Sequence, residues 1–384
     1  MQRIARSRLP RWLCVGLLFL QGCRAEPQAA AHLNLPPTPR PSPTPTASPT
    51  PLPLSALPMV ALPPLTDFSL PVESAFTSPA AVLFTAGPGA AQWSDLYVLN
   101  PQGGQAVCLT CDLRLRLEQN GWYNAPRFDS PAWAPDGERF AFVFQSVQRN
   151  SILTVDRQGR LQELRASRDE WFADLAWSPA GDALAFSLGP LAGADCGSSL
   201  VCVLALDRSA AAEPLCAAAG RANRFPAWSP EGERLLFSAG EGPYRPDGRP
   251  MDLFLWDLTS NRLTRLTETA DRSEVAARWS PDGTRLAYLV QVRRALGQAD
   301  SSLWLGDAAA RRAAPLPGTQ DVRAFAWSPD GRQMVCTRLA SPPAESGCGD
   351  CLPFTEMVLF DVESGDVIPL TDGSGWVDQP AWRP

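Results

Sequence analysis

Any chemistry in this chain has to be done without lysine and almost without histidine: all 34 basic residues are arginine, and the one histidine, His32, lies in a proline-rich stretch. That removes a lysine nucleophile or Schiff base. It also removes histidine acid–base catalysis and histidine-ligated metal from any globular part. No G-x-S-x-G nucleophile elbow occurs, so serine hydrolase chemistry lacks its central element. Paired carboxylates such as Asp129 and Asp174 are the remaining catalytic option, of the glycosidase kind. Among 40 acidic residues, however, such pairs are common. The reading is therefore a protein that binds and does not catalyse, and that needs no cofactor. A formal net charge of −6 and a pI near 5.1 exclude nucleic acid as a partner, because phosphate neutralisation requires a positive surface.

The charged residues that stand out do so by position. Asp129, Asp174, Arg224, Glu274, Arg323 and Asp378 each fall three to five residues before a tryptophan. The tryptophans head a repeat: PAWAPDGERFAFV at Trp133, LAWSPAGDALAFS at Trp177, PAWSPEGERLLFS at Trp228, ARWSPDGTRLAYL at Trp279, FAWSPDGRQMVCT at Trp327, and a truncated PAWRP at Trp382. The intervals match one four-stranded propeller blade. In each copy a strand ends at tryptophan, and a Pro-Asp-Gly type of turn follows, in which proline fixes φ and glycine accepts a positive φ. A second strand comes next, then a third (DLYVLN, SILTVD, DLFLWD, SLWLGD, EMVLFD) and a fourth (RLTRLT, DVIPLT).

These repeats resemble the TolB-like, or WD-like, propeller repeat family over about residues 76–384. The resemblance implies an all-β, six-bladed β-propeller across residues 71–384. TolB itself carries a separate α/β domain before its propeller, which this sequence lacks, so its partners do not transfer. The first unit, SPAAVLFTA, has no tryptophan-bearing strand, whereas Trp382 sits on a first strand with no successor. Joining the two predicts a ring closed by the C-terminal strand completing the first blade, which removes exposed sheet edges.

In that strand order the turns after the first and third strands share one face and are tight. The other connections share the opposite face, and four are long: residues 112–127, 189–199, 239–251 and 339–355. Loops on a rigid scaffold carry recognition, so this is the expected binding face. The six charged residues are expected to ring the channel mouth there and to bind a charged peptide or a zwitterionic small molecule. Trp122, Tyr123, Trp171, Phe172 and Trp376 precede the same strands and offer an aromatic platform. A protein or peptide partner is the leading expectation for a monomeric propeller. A glycan receptor and a propeller hydrolase are the alternatives.

Cys108, Cys111, Cys196, Cys202, Cys216, Cys348 and Cys351 fall at or near the long connections and are candidates for disulfides in an oxidising compartment, their pairing left open. Ring closure makes the blades carrying CLTC and CGDC neighbours, so a four-cysteine zinc site is the competing reading. Cys336 takes the place filled by Phe142, Phe186, Phe237 and Tyr288 in other copies, and reads as a small buried apolar residue.

The N-terminus reads as an address. Arg3, Arg6, Arg8 and Arg11 precede the apolar run 12–20 and then Leu20-Gln21-Gly22-Cys23, the pattern of a signal peptide over residues 1–22. The run is shorter than the roughly 20 residues that span a bilayer. The end of it resembles a bacterial lipobox, which implies acylation of Cys23 and attachment to the bacterial envelope through that lipid only, outside the cytoplasm. Residues 23–70, with PPTPRPSPTPTASPTPLPLS, read as a disordered tether.

Overall fold

The computed structural model describes residues 64–384 apart from 88–92, 121, 123–125, 193–196, 207–212, 243–249, 294–298, 309, 311 and 341–353. Six antiparallel four-stranded sheets form the blades of a β-propeller. The second blade is typical: Arg127–Trp133 is innermost, followed outward by Arg139–Gln145, Asn150–Asp156 and Leu161–Ser167. The inner strands of blades three to six are Glu170–Trp177, Ala222–Trp228, Arg272–Trp279 and Val322–Trp327.

Ring closure is as the repeats predict. Trp376–Trp382 pairs antiparallel with Val82–Gly87, so the tail of the chain supplies the inner strand of the first blade. Each of six apolar clusters lies mainly between two neighbouring blades: Leu83 and Leu96 against Phe128 and Phe140 between the first two, for example, and Phe84 and Val377 against Val335 and Met357 between the last and the first. Apolar burial therefore holds blade to blade and leaves the axis free for polar groups.

The Pro-Asp-Gly turns do more than reverse the chain. Gly283 and Gly331 adopt φ of 72° and 70°, where a side chain would be strained. A Cβ on Gly283 would lie 3.2 Å from Pro230 of the preceding blade, and one on Gly331 3.4 Å from Pro281. Turn thus packs on turn around this face. The arginine that opens the second strand reaches the next blade as well: the Arg139 guanidinium lies 4.7 Å from the Trp177 ring and Arg285 5.4 Å from Trp327. Arg139 Nη2 donates to the Gly181 carbonyl at 3.0 Å, and Arg285 Nη2 to that of Gly331 at 3.2 Å. Each such stack contributes on the order of 1 kcal/mol.

Packing starts ahead of residue 71. Leu65 and Leu70 are buried with Leu161 of the second blade, and the Leu70 N–H donates to the Gly159 carbonyl. The chain therefore enters the propeller on the face of the tight turns, beside the turn that joins the third and fourth strands of blade two.

One long connection contains a helix. Cys111–Gln119 is α-helical and buries Leu113 and Leu117, an i, i+4 pair that gives the segment an apolar stripe. The expected loop over 112–127 is corrected to that extent. The other three long connections lie partly outside the described residues.

Candidate functional site at the mouth of the channel

A cavity of about 340 Å³ opens at the centre of the ring and takes lining residues from all six inner strands. Its shape follows from an irregularity shared by most of them. Ser130, Asp174, Phe225, Ala276 and Gln379, each three residues before its tryptophan, have positive φ between 53° and 59°. Register shifts beside them mark bulges in the pairing with the second strand. A bulge re-aims side chains that would otherwise alternate towards the two neighbouring blades.

In half of the ring the bulged residues form a relay. Gln379 Oε1 accepts from the Ser130 N–H at 2.6 Å, Ser130 Oγ accepts from the Asp174 N–H at 3.0 Å, and Asp174 Oδ2 accepts from the Phe225 N–H at 3.2 Å. Each blade thereby fixes the next. The relay stops at Phe225, because Phe225, Ala276 and Ala324 have no side-chain acceptor to pass on.

Of the six charged candidates, Asp174, Arg224, Arg323 and Asp378 line the cavity. Asp174 and Arg224 are partners: Nε and Nη2 of Arg224 donate to Asp174 Oδ2 and Oδ1 at 2.6 and 3.2 Å. Burial alone would raise the Asp174 carboxyl. The Arg224 charge and its hydrogen bond, with Ser187 and the Phe225 N–H, outweigh that and hold it below the usual carboxylate range. Asp378 goes the other way. Burial raises it, helped by the Asp129 charge and opposed by the Gln379 N–H, Arg323 and Thr337.

Asp129 and Glu274 do not line the cavity; both turn sideways into blade junctions. Asp129 accepts from Ser94 Oγ at 3.0 Å and faces Arg127. Glu274 is buried with Thr269, which donates to it at 2.7 Å, and Arg272, at 3.0 Å. An innermost strand presents its edge to the channel, so distance from the tryptophan alone does not tell inward from sideways.

The cavity also contains a residue that the charge comparison did not single out. Arg278 stands immediately before Trp279, where the other five copies have Ala132, Ala176, Ala227, Ala326 and Ala381. Its Nη1 donates to the carbonyls of Pro226 and Ala277 at 3.3 and 3.2 Å. Neither Arg278 nor Arg323 has an ion-pair partner within 4 Å among the described residues. Aligning the position before each tryptophan shows this exception in the sequence.

The aromatic candidates disperse. Trp122 packs edge-on against Phe144, and Phe172 against Phe186, both in the interior. Trp171 lies 5.1 Å from the Arg224 guanidinium. Trp376 begins the last inner strand and is half-buried, and Tyr123 lies outside the described residues. The repeat tryptophans tie blades together where they find a partner: Trp177 Nε1 donates to the Ala132 carbonyl at 3.1 Å and Trp228 Nε1 to that of Ala176 at 3.0 Å.

Two disulfides are present among the described residues. Cys108 is bonded to Cys111 and Cys202 to Cys216. The second is a staple between directly opposed residues of the third and fourth strands of blade three, set in the sheet and not in a loop. Cys196, Cys348 and Cys351 lie outside the described residues, as does Cys23. Asp95, Cys108 and Cys111 place potential ligand atoms within 4.8 Å of one another. The two sulfurs are joined, however, and Asp95 already accepts from Thr110 Oγ1 at 2.8 Å and Arg114 Nε at 2.9 Å, so this cluster is a structural knot at the start of the helix. Cys336 is buried, unbonded, and pushed up to about 12 by desolvation.

No family model and no curated protein matches the sequence. Solved structures match the fold. TolB from Acinetobacter baumannii superposes with a TM-score of 0.59 at 17% identity, covering 79% of this chain and 67% of that one. A puromycin-hydrolyzing peptidase from Mycobacterium tuberculosis gives 0.50 at 18% identity, over 76% of this chain and 42% of the peptidase. The putative TolB from Agrobacterium tumefaciens gives 0.49 at 16% identity, over 79% and 98%. The chain has the six-bladed, TolB-like propeller fold.

Proposed function

We propose that the chain is a lipid-anchored, extracytoplasmic binding protein that holds a protein or peptide partner at the channel mouth and on the face of the long connections, without catalysing a reaction. The observation that carries this reading is the cavity: it draws side chains from every blade and retains two arginines that no carboxylate of the described chain pairs with. Pockets that combine an apolar wall with a few convergent charges are the usual form of a binding site.

Where the chain enters the fold supports the reading. Leu65 and Leu70 dock beside Gly159 on the face of the tight turns, opposite the face of the long connections. The two disulfides fit an oxidising compartment, and no described helix is long and apolar enough to cross a membrane.

A photo-crosslinking amino acid at Asp169 or Asp271, both exposed beside the starts of inner strands, should capture one stoichiometric partner in intact cells. The same probe at Asp136 or Asp330, in the tight turns, should not. Capture of the same partner from the turn face alone would contradict the proposal.

A further inference from the structure

We infer that the floor of the channel is an anion seat in which Arg278, with Arg323 towards the mouth, takes a carboxylate of an acidic peptide segment. This rests on the binding role proposed above and names the chemistry of its ligand.

The cavity is lined by Arg224, Arg278 and Arg323 against Asp174 and Asp378, so it is cationic within a chain of net charge −6. Arg224 and Asp174 satisfy each other through two hydrogen bonds. What remains is Arg278, Arg323 and Asp378, and the two guanidinium groups make no ion pair among the described residues. Arg323 is exposed, whereas Arg278 is half-buried and anchored through one nitrogen on the Pro226 and Ala277 carbonyls. That anchoring fixes a planar fork whose remaining N–H groups match a carboxylate. A cation in a recess gives up water on some of its N–H groups, and the oxygens of an incoming carboxylate replace it.

The two arginines lie at different depths. Arg323 is four residues before its tryptophan and Arg278 one residue before its own; the bulge makes those two positions span only two residues of the partner strand, Leu289 to Ala287 beside Val275 and Arg278, so at a rise of about 3.3 Å per residue they are separated by about 7 Å along the axis. The wall between them comes from the half of the ring where the polar relay has ended, with Phe225, Val275, Leu289 and Phe325. An extended peptide with acidic residues two apart, flanked by apolar ones, suits this spacing and wall. A sugar, whose hydroxyls need polar partners along the wall, suits it less.

The test uses the full chain and a synthetic pentapeptide, acetyl-ELELE-amide, with acetyl-QLQLQ-amide as its neutral counterpart, titrated calorimetrically. The glutamate peptide is expected to bind at least tenfold more tightly than the glutamine peptide, with an affinity that falls as salt is raised. Arg278→Ala installs the residue that the other five repeats carry, so it should fold with an unchanged melting temperature while weakening the glutamate peptide at least tenfold. Arg278→Lys should recover part of that loss. Should Arg278→Ala not fold, Arg323→Ala, at an exposed site, is expected to show the same weakening. Equal binding of the two peptides, binding of neither, or no change in the folded variants would overturn the inference. So would Arg278-dependent binding of a uronate oligosaccharide with none of the peptide. If the peptides fail while crosslinkers at the rim still capture a partner, the anion seat falls and the binding role stands.

Discussion

Arg383 donates from Nε and Nη2 to the carbonyl of Gly137 at 3.2 and 3.0 Å, tying the penultimate residue of the chain to the first tight turn of the second blade. Its Nη1 reaches the carbonyls of Phe76 and Ser78 at 3.2 and 3.0 Å, and its guanidinium lies 5.4 Å from the Trp133 ring. Arg383 thus takes the part that Arg139 and Arg285 take in other blades, from the far end of the sequence. Arg383 thereby reinforces the closure that the strand Trp376–Trp382 makes.

Arg383→Ala leaves the Gly137 and Phe76 carbonyls without a side-chain donor and removes the stack on Trp133, and should cost about 2–4 kcal/mol. A urea melt should show a lower midpoint with one cooperative transition retained. Deleting residues 376–384 removes the whole inner strand of the first blade and should abolish the cooperative transition. A truncated chain that still melts cooperatively at the original midpoint would contradict closure by the tail.

The carboxylates at the mouth predict opposite pH dependences. Asp174 titrates lower in the folded protein than in the unfolded chain, because Arg224 and its hydrogen bonds outweigh the burial that would raise it. Its stabilising contribution is complete above the ordinary carboxylate value, about 4, and is lost as pH falls through the lower folded value. Burial raises Asp378, so the folded state holds its proton more tightly than the unfolded chain does, and its contribution to stability declines as pH rises through the ordinary and then the raised value. Asp174→Asn should lower stability at pH 7 by about 3–5 kcal/mol, since it removes the carboxylate charge that the buried Arg224 guanidinium faces, and should flatten the acid side of the profile. Asp378→Asn should be neutral or stabilising at pH 7. Parallel pH profiles for the two variants would contradict these assignments.

Cysteine chemistry divides in the same physical terms. Removing Cys202 and Cys216, 14 residues apart, should cost about 3 kcal/mol through the entropy returned to the unfolded chain. The shorter Cys108–Cys111 loop should give less, about 2 kcal/mol. Cys336, held near 12 by burial, should resist alkylation at pH 8 until the protein unfolds. Peptide-resolved mass spectrometry with and without urea reads all three, and labelling of Cys336 in the native protein would contradict its assigned place.

The ring was legible in the sequence because each blade repeats a turn with a strict conformational demand: proline to set φ, glycine to accept a positive one. Closure was legible because Val82–Gly87 lacks its inner partner and Trp382 lacks its successor. The mouth was only partly legible. Charges four residues before tryptophan include Arg224, Arg323 and Asp378, which reach the cavity, and Asp129, which turns into a junction against Ser94. The same bulge follows Asp129, Arg224 and Asp378, with positive φ on Ser130, Phe225 and Gln379, so it does not separate these fates; the hydrogen bond from Ser94 of the neighbouring blade holds Asp129 aside, and no spacing rule within the repeat shows that partner. Arg278 does not show in a comparison of the charges three to five residues before tryptophan, because it stands one residue before its own, where the other five copies have alanine. The helix Cys111–Gln119 carried a signal in Leu113 and Leu117, masked by its short length and its start at a cysteine of the Cys108–Cys111 pair.

The central claim is that the partner is held by the mouth of the channel. Its most direct test compares capture by the crosslinker at Asp169 in the unaltered protein and in the Arg278→Ala, Arg323→Ala double variant. The account predicts at least a tenfold drop in captured partner with an unchanged melting temperature. Undiminished capture by a folded double variant would contradict it.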